Sequence, residues 1–453
     1  MIVMKFGGTS NGDAAAMTNV IRIVRAHLLH KPFVVISAIA GATNALEKMA
    51  RSASAGDREG AEAGLDRLFV QHKEIVSNLL KRDKDEAREV LAVIDGFQEE
   101  LRKLVQGVSI LKELTPRSMD AFCSYGERLS SLIVAAGLRE AGVPAVWLDA
   151  RNFMITDDNY GRAMPLMETV TERLEGVARP LIEAGKVPVT QGFIGFTRSG
   201  SYTTMGRESS DYSASIIGAA MNASRVQIWT DVDGILSADP RMVQDAKRIG
   251  RMSFEEAFEL SYFGAKVLHP NTMLPLLAGK IPVEIRNSRR EEGVGTIVDS
   301  TEKPADSREK VKSIAFQEGL VLVSLTPHRR LNQYLFWEEI FSVLSRHHIV
   351  VGNLSTSEYS IAFTVGGGTN LDVLKTELEQ FGGTTIRPGK GSLCVVGKGL
   401  RESSDVFSRV FEALKGTAIS MVSFGASGLS LTVVLDQADV ASALKKVHTA
   451  MFS

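Results

Sequence analysis

The stretch "IVMKFGGTSNG", residues 2 to 12, is where the reading of this chain starts. Ile2, Val3 and Met4 run as a strand into the Gly7–Gly8 turn, and glycine lets another group approach a backbone closely without steric cost. Lys5 stands at the end of that strand, directed into whatever the turn surrounds. A Gly-Gly pair after a strand is also an ordinary tight connection. The stretch lacks the G-x-x-x-x-G-K-[ST] spacing of the common nucleotide loop and the G-x-G-x-x-G of a dinucleotide fold. Segments farther along must therefore decide whether the turn holds phosphate.

Working outward, short β-branched runs recur with helical patterns between them. They are "IVMKF" at 2–6, "FVVIS" at 33–37, "VPAVWLD" at 143–149, "VPVTQGFI" at 187–194, "RVQIWTDV" at 225–232 and "PVEIRN" at 282–287. This alternation predicts an α/β fold with a mainly parallel sheet and helices on both faces. After the second run, Leu65, Leu68, Phe69, His72, Ile75, Val76 and Leu79 recur at three- and four-residue intervals. Val90, Ile94, Phe97, Leu101 and Leu104 do the same, which predicts a helical hairpin inserted over about 55–110.

From Thr296 to Val311 the text turns polar and aperiodic, "TIVDSTEKPADSREKV", and marks a domain boundary. Beyond it the chain repeats itself: Phe341, Leu344, Ile349, Ser357 and Ser360 match Phe411, Leu414, Ile419, Ser427 and Ser430. The constant offset predicts two copies of a strand-helix-strand-strand-helix module. The expected division is 1–298, a linker at 299–311, a first module at 312–385 and a second at 386–453.

At 453 residues the chain is long enough for two or three domains, each with its own core. With 52 Lys and Arg against 53 Asp and Glu, no global field marks a nucleic-acid or membrane partner, and small-molecule chemistry is favoured. Cys123 and Cys394 are too few for a disulfide framework, which fits a reducing cytoplasm. Neither a signal-peptide pattern nor an uninterrupted apolar run of about 18 residues is present.

Chemistry-bearing residues then appear in order. "AIAGATNAL" is a second small-residue turn, with Ser37, Gly41 and Thr43 as donors, and "SYGERLS" puts Glu127 just past a glycine at an expected helix start. "GSYTTMGRESSDYSAS", 200–215, leads glycines and hydroxyls into Arg207 and Asp211, where Asp211 can also serve as a helix cap. "WTDVDGILSADPR" ends a strand with Thr230, Asp231, Asp233 and Arg241. "YFGAKVLHP" supplies Lys266 ahead of His269, itself read as a packed histidine rather than a base.

Together, "KFGGTS", "SYGERLS", "TDVDG", "SYFGAKVLHP" and the paired C-terminal modules resemble the aspartokinases of the amino acid kinase family, whose regulatory modules are ACT domains. The resemblance runs over nearly the whole chain. It implies a three-layer αβα kinase domain followed by two ferredoxin-like α+β ACT modules, and a reaction of ATP with L-aspartate giving ADP and 4-phospho-L-aspartate. It further implies that Lys5 lies on the transferring phosphoryl group, with Gly7, Gly8 and Ser10 as phosphate donors and Lys266 on the ATP phosphates. Asp211 would organise the lysines, and Thr230, Asp231, Leu236 and Arg241 would line the nucleotide. Arg207 would grip the aspartate α-carboxylate, Glu127 its ammonium, and Ser37 and Thr43 would contact the same substrate. Mg2+ is implied with ATP.

The chain departs from the family pattern in "GRESSD", where Glu208 and Ser209 replace glycines, and at Leu236, where a tyrosine is usual. The modules imply a homodimer or higher oligomer inhibited by an amino-acid effector, lysine first and threonine second. The candidate effector residues are Val350, Val351, Ser357 and Glu358, although the S-V-D of lysine-sensitive relatives reads Val350, Val351, Gly352 here. The competing expectations are a related kinase acting on glutamate, acetylglutamate, carbamate or uridylate, and a non-catalytic ACT amino-acid sensor. No fused dehydrogenase, nucleic acid or membrane is expected.

Overall fold

A computed structural model describes residues 1–206, 209–264, 268, 270–290, 293, 295–300, 310–328 and 333–452. Contacts divide the chain into two compact units, Met1–Ile235 with Leu268–Ser300, and Leu236–Val267 with Thr301–Ser453.

The first unit begins with β1 (Ile2–Phe6), α1 (Ala14–Ala26), β2 (Pro32–Ile36) and α2 (Ala42–Ser54). The predicted hairpin follows as α3 (Arg58–Leu79) and α4 (Lys84–Leu111), and then comes α5 (Pro116–Glu140). Next are β3 (Ala145–Trp147), β4 (Ile155–Thr156), α6 (Met167–Val177), α7 (Arg179–Glu183), β5 (Val187–Gln191), β6 (Ile194–Thr197) and β7 (Tyr202–Thr204). Helix α8 (Ser209–Ala220) and β8 (Val226–Thr230) lead out of the unit. The excursion carries β9 (Arg251–Ser253) and α9 (Phe254–Tyr262), and the chain returns with α10 (Pro270–Ala278), β10 (Val283–Asn287) and β11 (Thr296–Asp299).

The main sheet of this unit runs β3-β5-β2-β1-β8-β10-β11, parallel throughout except for the antiparallel β10–β11 pair. Every residue of β1, β2 and β5 is buried, as expected of parallel strands covered on both faces. Ile2, Met4, Phe6, Val34 and Ile36 share one core with α1 to α5. Val3 faces the other layer, where Gly218 of α8 approaches it. Thus the sheet sits between two helical layers. The hairpin helices start at Asp57 and Asp83, whose carboxylates accept the N–H groups of Gly60 and of Asp85 and Glu86.

One expectation is corrected here. Glu127 is not at a helix start: α5 begins at Pro116 behind the Thr115 cap, and Gly126–Glu127 lie in its buried middle. The glycine serves close packing, because a Cβ at 126 would stand 2.8 Å from the Ala38 Cβ.

The second unit holds β12 (Ser313–Pro327), α11 (Gln333–Arg346), β13 (Val351–Thr356), β14 (Ile361–Gly366), α12 (Leu371–Leu378) and β15 (Gly382–Val396). It ends with α13 (Ser404–Ala413), β16 (Ile419–Phe424), β17 (Ser430–Asp436) and α14 (Gln437–Phe452). All six strands form one sheet, β13-β14-β12-β15-β17-β16, with antiparallel neighbours. The order strand-helix-strand-strand-helix occurs twice, but the two copies are joined by long strands that serve both. Val321, Val323 and Leu325 of β12 pack with Phe336, Ile340 and Phe363, whereas Ile314, at the start of the same strand, packs with Leu393, Val433 and Val440. Contacts also group the chain differently from a linear division at 299–311. Ala238 and Val243 bury their side chains in that second core, which is why Leu236–Val267 goes with the C-terminal half.

Gly126→Ala is expected to destabilise the chain by about 1–3 kcal/mol, because the added methyl overpacks α5 against Ala38. At an exposed mid-helix site the same change would stabilise, so a urea midpoint above wild type would contradict the close-packing role.

Candidate active site

The carboxyl ends of β1, β2, β5 and β8 point the same way, and β1 is where the strand order reverses, with β2 on one side and β8 on the other. Open α/β sheets bind ligands at such a switch point. Lys5 occupies it. Its side chain is only 11% exposed, and its Nζ lies 2.5 Å from Asp211 Oδ1 in the first turn of α8. A lysine cation this far from water requires a counter-charge, and Asp211 supplies it; the carboxylate expected at a cap is turned to the lysine.

The turn after β1 is built by contact rather than by unusual dihedrals. Gly7 is extended, with φ −72° and ψ 167°, and the chain then makes one 3-10 turn over Gly8–Asn11. Gly8 is the constrained position, since a Cβ there would sit 2.9 Å from the carbonyl oxygen of Ala38. Gly7 N–H donates to Trp229 O at 3.0 Å, and Ser10 Oγ donates to Ser288 Oγ at 2.7 Å. Asn11, which sequence reasoning missed, is fully buried and donates from Nδ2 to the Gly7 and Phe6 carbonyls, fixing the turn from inside. Its place directly after Ser10 was the available signal.

Around Lys5 the other candidates divide. Ser37 is buried at the end of β2; its N–H donates to Phe6 O, and its carbonyl accepts Ser130 Oγ at 2.7 Å. Thr43 is half-buried in the first turn of α2, behind Gly41 with φ +86°. Glu127 is buried, and its Oε2 has no hydrogen-bond partner among the described residues. Desolvation pushes its pKa up to about 8, against the lowering by backbone N–H groups of Ala38 and Glu127 and by the nearby Lys5 charge.

Two further positions were not foreseen. Gly192 lets the end of β5 approach Ser210 of α8, where a Cβ would be 2.6 Å from the serine Cβ. Asp120, also on α5, accepts from Thr204 N, Thr204 Oγ1 and Gly161 N at 2.7–2.9 Å and so holds the end of β7.

At β8, Thr230 O accepts Ser288 N–H at 2.7 Å, and its hydroxyl donates to Asp231 Oδ1 at 3.3 Å. Leu236 and Arg241 belong to the second unit, where the exposed Arg241 guanidinium forks onto Asp239 at 2.6 and 3.0 Å. Arg207 and Lys266 lie outside the described residues, as do Glu208 and His269. Among the effector candidates, Val350 is 78% exposed, Val351 O accepts Tyr262 Oη at 2.8 Å, and Ser357 Oγ lies 2.8 Å from Ser360 Oγ. Glu358 is exposed. A cavity of about 560 Å³ opens beside Val350, lined also by His347, Ile349, Gly368, Asn370 and Val373.

The amino acid kinase profile matches residues 1–287, and an ACT domain profile matches 393–451. The chain belongs to the amino acid kinase family. Within that family it is 35% identical to lysine-sensitive aspartokinase 3 of Escherichia coli (strain K12), over 100% of this chain and 99% of the relative. To the chloroplastic aspartokinase 1 of Arabidopsis thaliana it is 32% identical, over 99% of this chain and 80% of the relative. Among solved structures it resembles E. coli aspartokinase III in complex with aspartate and ADP (R-state), with TM-score 0.85 and 33% identity over both full chains. The T-state complex of that protein with lysine and aspartate matches with TM-score 0.82, again over both full chains.

Glu127 makes the first unit pH-sensitive. Its folded pKa of about 8 lies above the ordinary 4.5, so the native state keeps a proton that the unfolded chain has lost. Stability is therefore greatest, with respect to this group, below the ordinary value and falls as pH rises from about 5 to 8, by up to about 1.4 kcal/mol per unit. Urea denaturation of wild type against Glu127→Gln should show the difference shrinking the wild type's stability over that range, and parallel pH profiles would refute the buried neutral carboxyl.

Proposed function

We propose that this chain transfers the γ-phosphoryl group of ATP to the side-chain carboxylate of L-aspartate, giving ADP and 4-phospho-L-aspartate. This is the first step toward lysine, threonine and methionine. The observation that carries the reading is the buried Lys5–Asp211 pair at the sheet's switch point, with the buried Glu127 close enough to feel the Lys5 charge. It is supported by the family membership and by the aspartokinase relatives.

The physical demands of the reaction suit these residues. A carboxylate is ionised at neutral pH, so no general base is needed to create the nucleophile. The work is to gather two anions and to balance charge on the transferring phosphoryl. Lys5, already fixed by Asp211, does this without reorganisation, and Gly7, Gly8 and Ser10 line the phosphates. Glu127 takes the substrate ammonium once deprotonated, a step the cation itself favours by lowering the carboxyl pKa. Arg207 forks onto the α-carboxylate, Ser37 and Thr43 complete that pocket, and Lys266 meets the ATP phosphates. Thr230, Asp231, Leu236 and Arg241 are assigned to the nucleotide.

Mg2+ is expected to enter with the nucleotide. Bound with ATP, Mg2+ would neutralise phosphate oxygens, and Asp231, just past the end of β8, would be a carboxylate to hold it, Asp211 being engaged with Lys5.

The same reading assigns 1–298 to the kinase domain, 299–311 to a linker, and 312–385 and 386–453 to two ACT modules. It places a homodimer or higher oligomer in the cytoplasm. Lysine is the first candidate effector and threonine the second, held near Val350, Val351, Ser357 and Glu358.

Lys5→Ala should lower kcat for aspartate-dependent ADP release by about 100- to 1,000-fold, the usual cost of losing a preorganised electrostatic group; retention of half the wild-type kcat would remove Lys5 from the chemistry. Titrating lysine and threonine to millimolar levels into the same assay should inhibit turnover, lysine at the lower concentration. If neither acts, alone or combined, the tail only assembles the enzyme.

A further inference from the structure

Ser237 follows Leu236 directly and has every polar group committed. Its N–H donates to Lys247 O at 2.8 Å, and its carbonyl accepts the N–H of Ile314, at the start of β12, at 2.8 Å. Its hydroxyl oxygen accepts Lys247 N–H at 2.8 Å and lies 2.9 Å from Nε2 of His448 on α14. With one lone pair taken by Lys247 N–H, the hydroxyl still has its proton to give to an unprotonated Nε2 and a second lone pair to accept from a protonated one, so the pair holds in either tautomer of His448. The ring is 1% exposed and lies tilted against Phe452 with centroids 4.7 Å apart. On either side the segment is fastened to the same body: Ser313 Oγ donates to Leu236 O at 2.8 Å, and Ala238 and Val243 join the core of Val440 and Leu444. The stretch from Leu236 to Lys247 is therefore part of the C-terminal fold.

We propose that Ser237 and His448 form a positioning pair that sets the backbone of Leu236–Arg241 and thereby the nucleotide contacts of that segment. The proposal rests on the assignment of Leu236 and Arg241 to the nucleotide. His448 touches no substrate in this reading; it acts through Ser237, from the last helix of the described chain.

The test uses the full chain with His448→Leu, His448→Gln and Ser237→Ala, measuring MgADP binding by calorimetry and the KM values for ATP and for aspartate. His448→Leu and Ser237→Ala should each weaken MgADP binding and raise KM for ATP by about threefold to tenfold, the effect of one lost buried hydrogen bond, with KM for aspartate within about twofold of wild type. His448→Gln, whose carbonyl can accept the serine proton, should recover most of the loss. MgADP affinity unchanged in both variants, or equal rises in the two KM values, would overturn the pair's role. Wild type that binds MgADP without turning over aspartate would instead sink the proposed reaction, while the calorimetry still decides the pair. Wild type that does not bind MgADP would overturn both.

Discussion

A buried ammonium group is the constraint to which the first unit is fitted. Lys5 sits inside a parallel sheet whose neighbours are apolar, where an isolated cation would be costly and where only a close carboxylate makes it tolerable. Asp211 meets it at 2.5 Å. That single pairing dictates that α8 begin beside the end of β1, which in turn requires the bare backbone of Gly192 against Ser210 and the bond from Phe193 N–H to Ser213 Oγ. The Gly7–Gly8 turn closes over the lysine from above, braced by Ala38 and by the Asn11 amide. The pair leaves the Lys5 ammonium little freedom to move.

Glu127 is the opposite case, a carboxyl buried without a full partner. Its Oε2 is unsatisfied and its pKa is held near 8, mainly by desolvation. A group in that condition favours the arrival of a cation, which would restore the charge that burial denies. The helix that carries it also carries Asp120, and the same α5 thus anchors β7 and holds this buried acid.

In the second unit the two repeats do not stand as separate beads. β12 and β15 are long enough to enter both halves of one sheet, with register irregularities between Gln317 and Leu322 where the strand passes from one core to the other. The segment after Leu236 is built into the same body through Ser237, Ala238 and Val243.

Much of this could be read from the chain alone. Strands 2–6, 33–37, 225–232 and 282–287 were legible because parallel strands are apolar runs between helices, whereas the run 187–194 breaks at Gly192 into β5 and the start of β6. The hairpin was legible because Leu65 to Leu79 and Val90 to Leu104 keep a helical period, and the repeat because its offset is constant. Lys5 and Asp211 could be picked out as candidates from their motifs. What local pattern could not reveal was distance. Gly126 looked like a helix start because glycine is scarce inside helices, and only the packing of α5 against Ala38 shows why one is needed there. Asn11, Asp120 and Gly192 carry no periodic signal, since their roles are defined by partners far along the chain. Ser237 reads as an ordinary turn residue until the tertiary fold brings His448 to it across 211 positions. Periodicity and motif record what each segment does with its neighbours in sequence; burial, charge pairing and pKa depend on which segments meet, and that was decided by the folded structure.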